Sequence, residues 1–337
     1  MLDSQQLSFS LNAVKKAAPI TSLEQTKLLA DSRRLQILRY LMASPATLTQ
    51  LAEKLEKSPA WVRHHMQMLV KADLAEQAEI RVRGTVTEKF YRAKAGAFLL
   101  QQMILPDGKR PVLLFAGSHD LAIEVIAEKL SPHLDIILNP VGSLDGLINL
   151  RQGLCHLSGA HLLDESGAYN TPYLSRLFPQ RDLQVVTLAH RTQGLMLAPD
   201  NPKGIRELVD LIRDDIRFVN RNPGSGTRIW LDEQLRQENI SSEMVNGYEN
   251  SCATHSAAAQ QVKLGLADVS IGLQAAALQN ELDFIPLFEE RFDLTIPKEH
   301  AALATPLLDE LQTAAFRNTA KNLTGYNLAE SGSQILY

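Results

Sequence analysis

The sequence predicts an α/β protein in two parts: a small helix-turn-helix head carrying a strand hairpin, then a larger body of alternating strands and helices. Length is the first observation, since 337 residues exceed one small module and suit two domains. Pattern is the second. Helical spacing of apolar residues over 23–72 gives way to two-residue alternation at 79–92, then to a βαβαβ order from residue 112. Charge is the third, because the formal net of -4 hides a division. Residues 1–110 hold 17 Lys+Arg against 10 Asp+Glu, a net of +7, and residues 111–337 hold 17 against 28, a net of -11. A basic head on an acidic body implies two different partners. With 45% hydrophobic and 21% charged residues, the composition excludes a disordered or fibrous chain.

Residues 1–20 read as an N-terminal extension and 21–105 as the head. Thr21-Ser22-Leu23-Glu24 opens a helix that the apolar spacing carries through Met42, and Ser44-Pro45-Ala46 breaks it. Thr47 caps a short helix over Leu48–Leu55, with Leu51, Ala52 and Leu55 inward. Ser58 caps a third helix with Pro59 at its first position, burying Val62, Met66, Leu69 and Val70 up to about Ala72. Two short helices joined by a tight turn form a helix-turn-helix, whose second helix can enter the major groove of double-stranded DNA. Its outward residues are Ser58, Ala60, Trp61, Arg63, His64 and Gln67. Alternation at Glu79–Arg83 and Thr87–Arg92 around Gly84 makes a hairpin bearing Arg81, Arg83 and Lys89.

A helix-turn-helix followed by a basic hairpin resembles the winged-helix regulators of the ArsR type, through Leu35–Leu41 and His64–Leu69. The bland reading is a three-helix domain that binds protein or dimerises. Clustered cations on helix and hairpin favour DNA, since neutralising phosphates requires them. Arg63, Arg81, Arg83 and Lys89 are the expected phosphate contacts. Trp61, His64 and Gln67 are placed for base edges, with Trp61 equally suited to packing.

Lys109-Arg110-Pro111 leads into the body, 111–337. Strands at Val112–Ala116, Leu134–Leu138 and Leu154–Gly159 alternate with helices at Leu121–Leu130 and from about Val141 to Gln152. That order makes a parallel sheet, and ligands bind such sheets beyond the carboxyl ends of the strands. Ser118 and Ser143 fall there, each beside glycine at a helix start. A third such corner follows the strand Asp215–Asn220: Arg221-Asn222-Pro223-Gly224-Ser225-Gly226-Thr227-Arg228 turns into a helix over Ile229–Glu238. Amide N–H groups, hydroxyls and a cation, Arg228 or Arg221, suit an anion. The run is no P-loop, lacking Gly-Lys-Ser/Thr.

Residues 111–300 are similar to periplasmic molybdate-binding proteins and their intracellular relatives. The likeness runs through Gly117–Asp120, Gly142–Gly146, His161–Asp164, Tyr169–Tyr173, Arg191–Met196, Asn201–Gly204 and Asn220–Arg228. It implies a type 2 periplasmic-binding fold, two α/β lobes joined by two crossing strands. Lobe 1 is then about 111–190 plus 275–337 and lobe 2 about 191–274, with Asp268–Gly272 leading back across the hinge. Carried over by position, the ligand residues are Ser118, Ser143, Ser225, Gly226 and Thr227, with Arg191, Arg228, Thr254 and His255 as further candidates. The implied effector is molybdate or tungstate, with sulfate, phosphate or a pterin-type cofactor as alternatives.

Cys155 and Cys252 cannot make a disulfide framework, Met1–Pro19 lacks a secretory core, and no apolar run spans a bilayer, so a cytoplasmic protein without a membrane partner is expected. Two-residue Cys/His clusters fall short of a zinc site, and no carboxylate or serine sits in a catalytic spacing, so neither a metal nor an enzyme activity is expected. The resulting expectation is a homodimeric, oxyanion-responsive transcriptional regulator that requires no cofactor. The rival is a protein that stores or delivers molybdate, tungstate or molybdenum cofactor and docks through its head.

Overall fold

A computed structural model of the chain describes residues 16–20, 22–83, 86–100, 102–180 and 182–336. It forms two compact units that divide between Ile104 and Leu105. In the head, β1 (Ala17–Ile20) is followed by α1 (Leu23–Leu29) and α2 (Ser32–Ala43), then β2 (Ala46–Thr47), α3 (Leu48–Leu55) and α4 (Pro59–Lys71). Then come β3 (Ala75–Arg83), β4 (Val86–Ala93) and β5 (Ala97–Leu100). The single first helix expected through Met42 is two. Asp31 accepts a hydrogen bond from the Arg33 amide at 2.9 Å and caps a fresh start at Ser32. Part of the expected N-terminal extension is a strand, β1, paired in parallel with β5.

The caps fall where the sequence puts them. Thr47 and Gln50 form a reciprocal capping box at the start of α3, with contacts of 2.9 and 3.2 Å. Ser58 Oγ accepts from the Trp61 amide at 3.2 Å, and Pro59 opens α4. Ile37, Leu38, Leu41, Leu51, Val62, Met66 and Leu69 form the core. Val70, expected inside, is exposed, because it follows Leu69 by a 100° turn that carries it off the buried stripe. The hairpin β3–β4 is antiparallel and β2 adds a third strand beside β4.

The body begins with β6 (Val112–Gly117), α5 (Leu121–Leu130), β7 (Asp135–Pro140), α6 (Ser143–Arg151), β8 (Leu157–Ala160) and α7 (Thr171–Leu177). It continues with β9 (Leu183–Leu197), β10 (Phe218–Arg221), α8 (Gly226–Gln237), β11 (Ser251–Cys252) and α9 (His255–Lys263). Then follow β12 (Val269–Leu273), α10 (Gln274–Gln279), β13 (Asp283–Pro297), α11 (Ala301–Leu311), α12 (Ala314–Ala320), β14 (Tyr326–Asn327) and β15 (Gln334–Ile335). Among the described residues no helix is long and apolar enough to cross a membrane.

The body sheet runs β11-β10-β12-β9-β13-β8-β6-β7, with β14 and β15 pairing β9. β9 and β13 are the two long central strands, antiparallel to each other from Leu183/Pro297 to Leu197/Asp283. The late half of β13 pairs β8, while the late half of β9 pairs β12. Each strand thus belongs to both α/β halves of the sheet, the arrangement of two lobes joined by two crossing strands. Two expectations need correction. The returning strand is β13, not Asp268–Gly272, because β12 lies inside the second half between β10 and β9. The second crossing therefore comes within β13 near its bulge at Phe292/Asp293, later than the expected 275. The helix of the Gly-Ser-Gly-Thr run also starts earlier than Ile229, at Gly226, with Ser225 Oγ accepting from the Arg228 amide at 3.3 Å.

Candidate functional site

The starts of α6 and α8, from opposite halves, meet. Leu144 N donates to Gly224 O at 3.1 Å and Asn222 Nδ2 donates to Val141 O at 2.8 Å. Gly226 is pressed on His161: a Cβ there would lie 2.5 Å from the imidazole and 2.6 Å from the His161 carbonyl oxygen. Only glycine allows this approach. Ser118, Ser143, Ser225, Gly226 and Thr227 are accordingly buried together, as their positions in sequence suggest.

Their hydrogen bonds are largely committed. His161 Nδ1 faces the Glu290 carboxylate, which makes that nitrogen the N–H, so Nε2 accepts from the Ser118 hydroxyl at 2.8 Å. Ser143 Oγ accepts from the His161 amide at 3.2 Å. Thr227 Oγ1 donates to Gln193 Oε1 at 2.9 Å. The O–H groups of Ser118 and Thr227 are thus engaged as donors, whereas those of Ser143 and Ser225 have no acceptor among the described residues. Ser118, His161 and Glu290 have the order of a hydrolytic triad. Ser118 is fully buried, and Gly226 lies against the His161 imidazole.

Two arginines lie wholly inside the body, and they differ. Arg191 on β9 donates to Asp120 Oδ2 at 2.7 Å and pairs with Glu290, with Phe292 beneath its guanidinium. Tyr326 adds a hydroxyl to Asp120 at 2.8 Å. Those carboxylates hold the Arg191 charge firmly, its pKa staying above the usual arginine value despite burial. Burial alone would raise the Glu290 pKa, but Arg191 and His161 bring it down to about 2. Arg191, a sequence candidate for the ligand, is therefore the cation of an internal network.

Arg221 has no such partner. It donates from Nε to Cys252 O at 3.1 Å and from Nη2 to Ala253 O at 2.8 Å, while Nη1 has no hydrogen-bond partner among the described residues. Burial, reinforced by the Arg191 charge, holds its pKa down to about 9. An enclosed cation paired only with carbonyls is costly. Arg228, the neighbouring candidate, is instead tied to Glu249 at 3.3 Å and stacked over Tyr248.

A cavity of about 220 Å³ opens beside this cluster, lined by Phe115, His119, Asp120, Ile123, Glu124, Leu138, Pro140 and Thr254. It lies beyond the carboxyl ends of β6 and β7, where parallel sheets take their ligands, and Thr254 reaches it from the other half. Its volume is below the roughly 300–1,000 Å³ typical of sites for drug-sized molecules, so it suits a small one. Of the sequence candidates only Thr254 lines it. His119 and Asp120 were not among them, and Arg221 was named only as the alternative to Arg228.

Residues 126–312, more than half the chain, match the family described as "PBP superfamily domain". The chain belongs to the PBP superfamily. Residues 31–77 match the "Bacterial regulatory protein, arsR family" helix-turn-helix, so this PBP-superfamily member carries an ArsR-type head. The uncharacterized protein YvgK of Bacillus subtilis (strain 168) is 36% identical over 238 residues, which cover 68% of this chain and 75% of that one. An uncharacterized protein in the ferredoxin 2Fe-2S gene 5′ region of Clostridium pasteurianum is 37% identical over 110 residues, 32% of this chain and 97% of that one. Among solved structures, an ABC-type phosphate transport receptor from Vibrio cholerae is similar with a TM-score of 0.39 and 19% identity, covering 64% of this chain and 98% of its own.

In the head, the structure exposes the cap Ser58, then Arg63, His64 and Gln67 on α4, and Lys89 on β4. Trp61 is half-buried against the core, its ring 4.3 Å from that of His65. Arg81 is bound to Glu79 through 2.7 and 2.9 Å contacts and stacks on Phe90. The Arg83 side chain lies outside the described residues.

Proposed function

We propose that this ArsR-headed member of the PBP superfamily is a cytoplasmic homodimeric regulator whose body senses a small oxyanion, molybdate or tungstate, and whose head binds promoter DNA. Turnover and a resident cofactor form no part of the mechanism. The observation that carries the reading is Arg221, a guanidinium buried in the body that, among the described residues, bonds to carbonyls and to no carboxylate, with Glu290 acting on it only at longer range. A dianion would supply the missing charge, and the free N–H and the hydroxyls of Ser143 and Ser225 are donors that leave their protons in place. Overall the body is acidic, so its field opposes such a ligand. Recognition must then come from local donors and be short-ranged.

Bound anion would hold the two halves in this closed arrangement and so bias the paired heads. Control of DNA requires that the anion favour one DNA-binding state. A panel of molybdate, tungstate, sulfate and phosphate tests the ligand through the melting temperature and Trp230 fluorescence, since Trp230 stacks on Phe288 at 3.9 Å. At one hundred times Kd the anion adds about 2.7 kcal/mol of stability. For a unit of this size that raises Tm by roughly 5–10 °C. If all four leave both signals unchanged at millimolar concentration, the anion reading fails.

A further inference from the structure

Two histidines near the cavity are left without full hydrogen bonding. His255, the first residue of α9, is completely buried, and neither of its ring nitrogens has a partner among the described residues. A neutral imidazole presents one N–H and one lone pair, and leaving such groups dry costs free energy. His119, from the loop between β6 and α5, is more than nine-tenths buried and lines the cavity. Its Nε2 meets Glu124 Oε1 at 3.0 Å, while Nδ1 has no partner. The two rings lie 6.0 Å apart, one from each half of the body. Thr254, adjacent to His255, lines the same cavity.

The surroundings of His255 are cationic or neutral. Arg221 on β10, Arg191 on β9, His119 in the loop after β6 and His161 at the end of β8 all act on it electrostatically, each disfavouring a charge on the ring. On β11, Cys252 stands beside Arg221. β12 and α10, which also pack against α9, bring no titratable side chain. Of the nearby carboxylates, Asp120 and Glu290 are already bound to Arg191, and Glu124, which lines the cavity, meets His119 Nε2. Burial first, then these positive neighbours, keep His255 well below the usual histidine pKa, so it is neutral in the empty protein.

We propose that His119 and His255 are the recognition pair for the oxyanion, contributed by opposite halves, and that one proton enters the site with the anion. The inference rests on the anion-sensing reading of the body. Two negative charges beside the pair reverse the potential that keeps His255 neutral. A proton from solvent then joins a ring nitrogen, and the resulting imidazolium offers two N–H donors and no lone pair that repels the anion. No other bond forms or breaks. The partner chemistry is a fully ionised tetrahedral dianion, and affinity for it rises as pH falls towards 6.

Calorimetric titration of the full chain with molybdate at pH 7.5, in two buffers of different ionisation enthalpy, measures the proton directly. Uptake approaching one proton per anion is expected, with Kd weakening towards tenfold per pH unit between 7 and 8. His255→Gln should abolish the uptake and flatten the pH dependence, and His119→Gln should weaken binding while leaving the fold's melting in place. Molybdate binding without proton uptake by the unaltered protein overturns the proposal and leaves the anion reading standing. So does uptake that survives His255→Gln unchanged. Failure of molybdate and tungstate to bind at all overturns both.

Discussion

The two buried arginines should respond oppositely to the same substitution, Arg→Met, which preserves length and removes charge. Arg191→Met strands Asp120 and Glu290, both buried, without their cation. Breaking a buried pair in this way costs about 3–5 kcal/mol. The body unit spans Leu105–Tyr337, and in a unit of that size each kcal/mol is about 2–4 °C, so its Tm should fall by roughly 6–20 °C. Arg221→Met removes a charge whose pKa is held to about 9. At about 1.4 kcal/mol per pKa unit, burying that charge costs on the order of 5 kcal/mol. The substitution recovers this and loses two charge-assisted hydrogen bonds, at Cys252 O and Ala253 O, of about 1.5–3 kcal/mol each. The two amounts cancel to within about 2 kcal/mol. Differential scanning fluorimetry without anion should therefore find Arg221→Met near the unaltered protein and Arg191→Met far below it. Equal losses in the two variants would refute the assignment of Arg221 as the cation awaiting a ligand.

Three further outcomes follow from the same geometry. Arg63→Ala should weaken binding to duplex DNA and lower the salt slope of log K by about 1, measured by anisotropy, whereas Arg81→Ala should do less because Glu79 already holds its guanidinium. Gly226→Ala drives a methyl into His161 and should cost about 1–3 kcal/mol in a thermal melt, with an unchanged Tm showing that the halves do not close there. Acid should destabilise the anion-free body below about pH 6.5, because an unfolded histidine takes a proton there that His255 and His161 refuse when folded. The loss has a limiting slope of about 1.4 kcal/mol per pH unit for each histidine, and a Tm flat from pH 8 to 5 would contradict it.

Most of the scaffold was legible because its signals are local. Ser58-Pro59 and Thr47 mark helix starts through neighbouring residues, and α5 runs over Leu121–Leu130 as its spacing predicts. The gathering of Ser118, Ser143, Ser225 and Thr227 was legible too, since each sits at the end of a strand. What those hydroxyls bond to was not. His161 lies 43 residues from Ser118, and its carboxylate partner Glu290 is 129 residues further on. Glu289-Glu290-Arg291 reads as a solvated charge run, yet Glu290 faces inward because β13 crosses the hinge and Arg191 awaits it there. Arg228 looked the better ligand cation from its place beside Thr227. β10 is buried along its whole length and its pairing with β11 sets Arg221 on the Cys252 and Ala253 carbonyls, while the start of α8 sends Arg228 to Tyr248 and Glu249.

The proposed regulation requires anion binding in the body to change DNA binding by the head, and linkage makes that coupling reciprocal. Fluorescence anisotropy with a duplex taken from upstream of the chain's own gene, at fixed ionic strength, measures it most directly. Addition of molybdate or tungstate should shift the DNA Kd by about 5–150-fold, the usual range of allosteric coupling, and Arg221→Met should remove the shift while binding DNA as before. An identical Kd with and without an anion that is shown to bind would contradict the account.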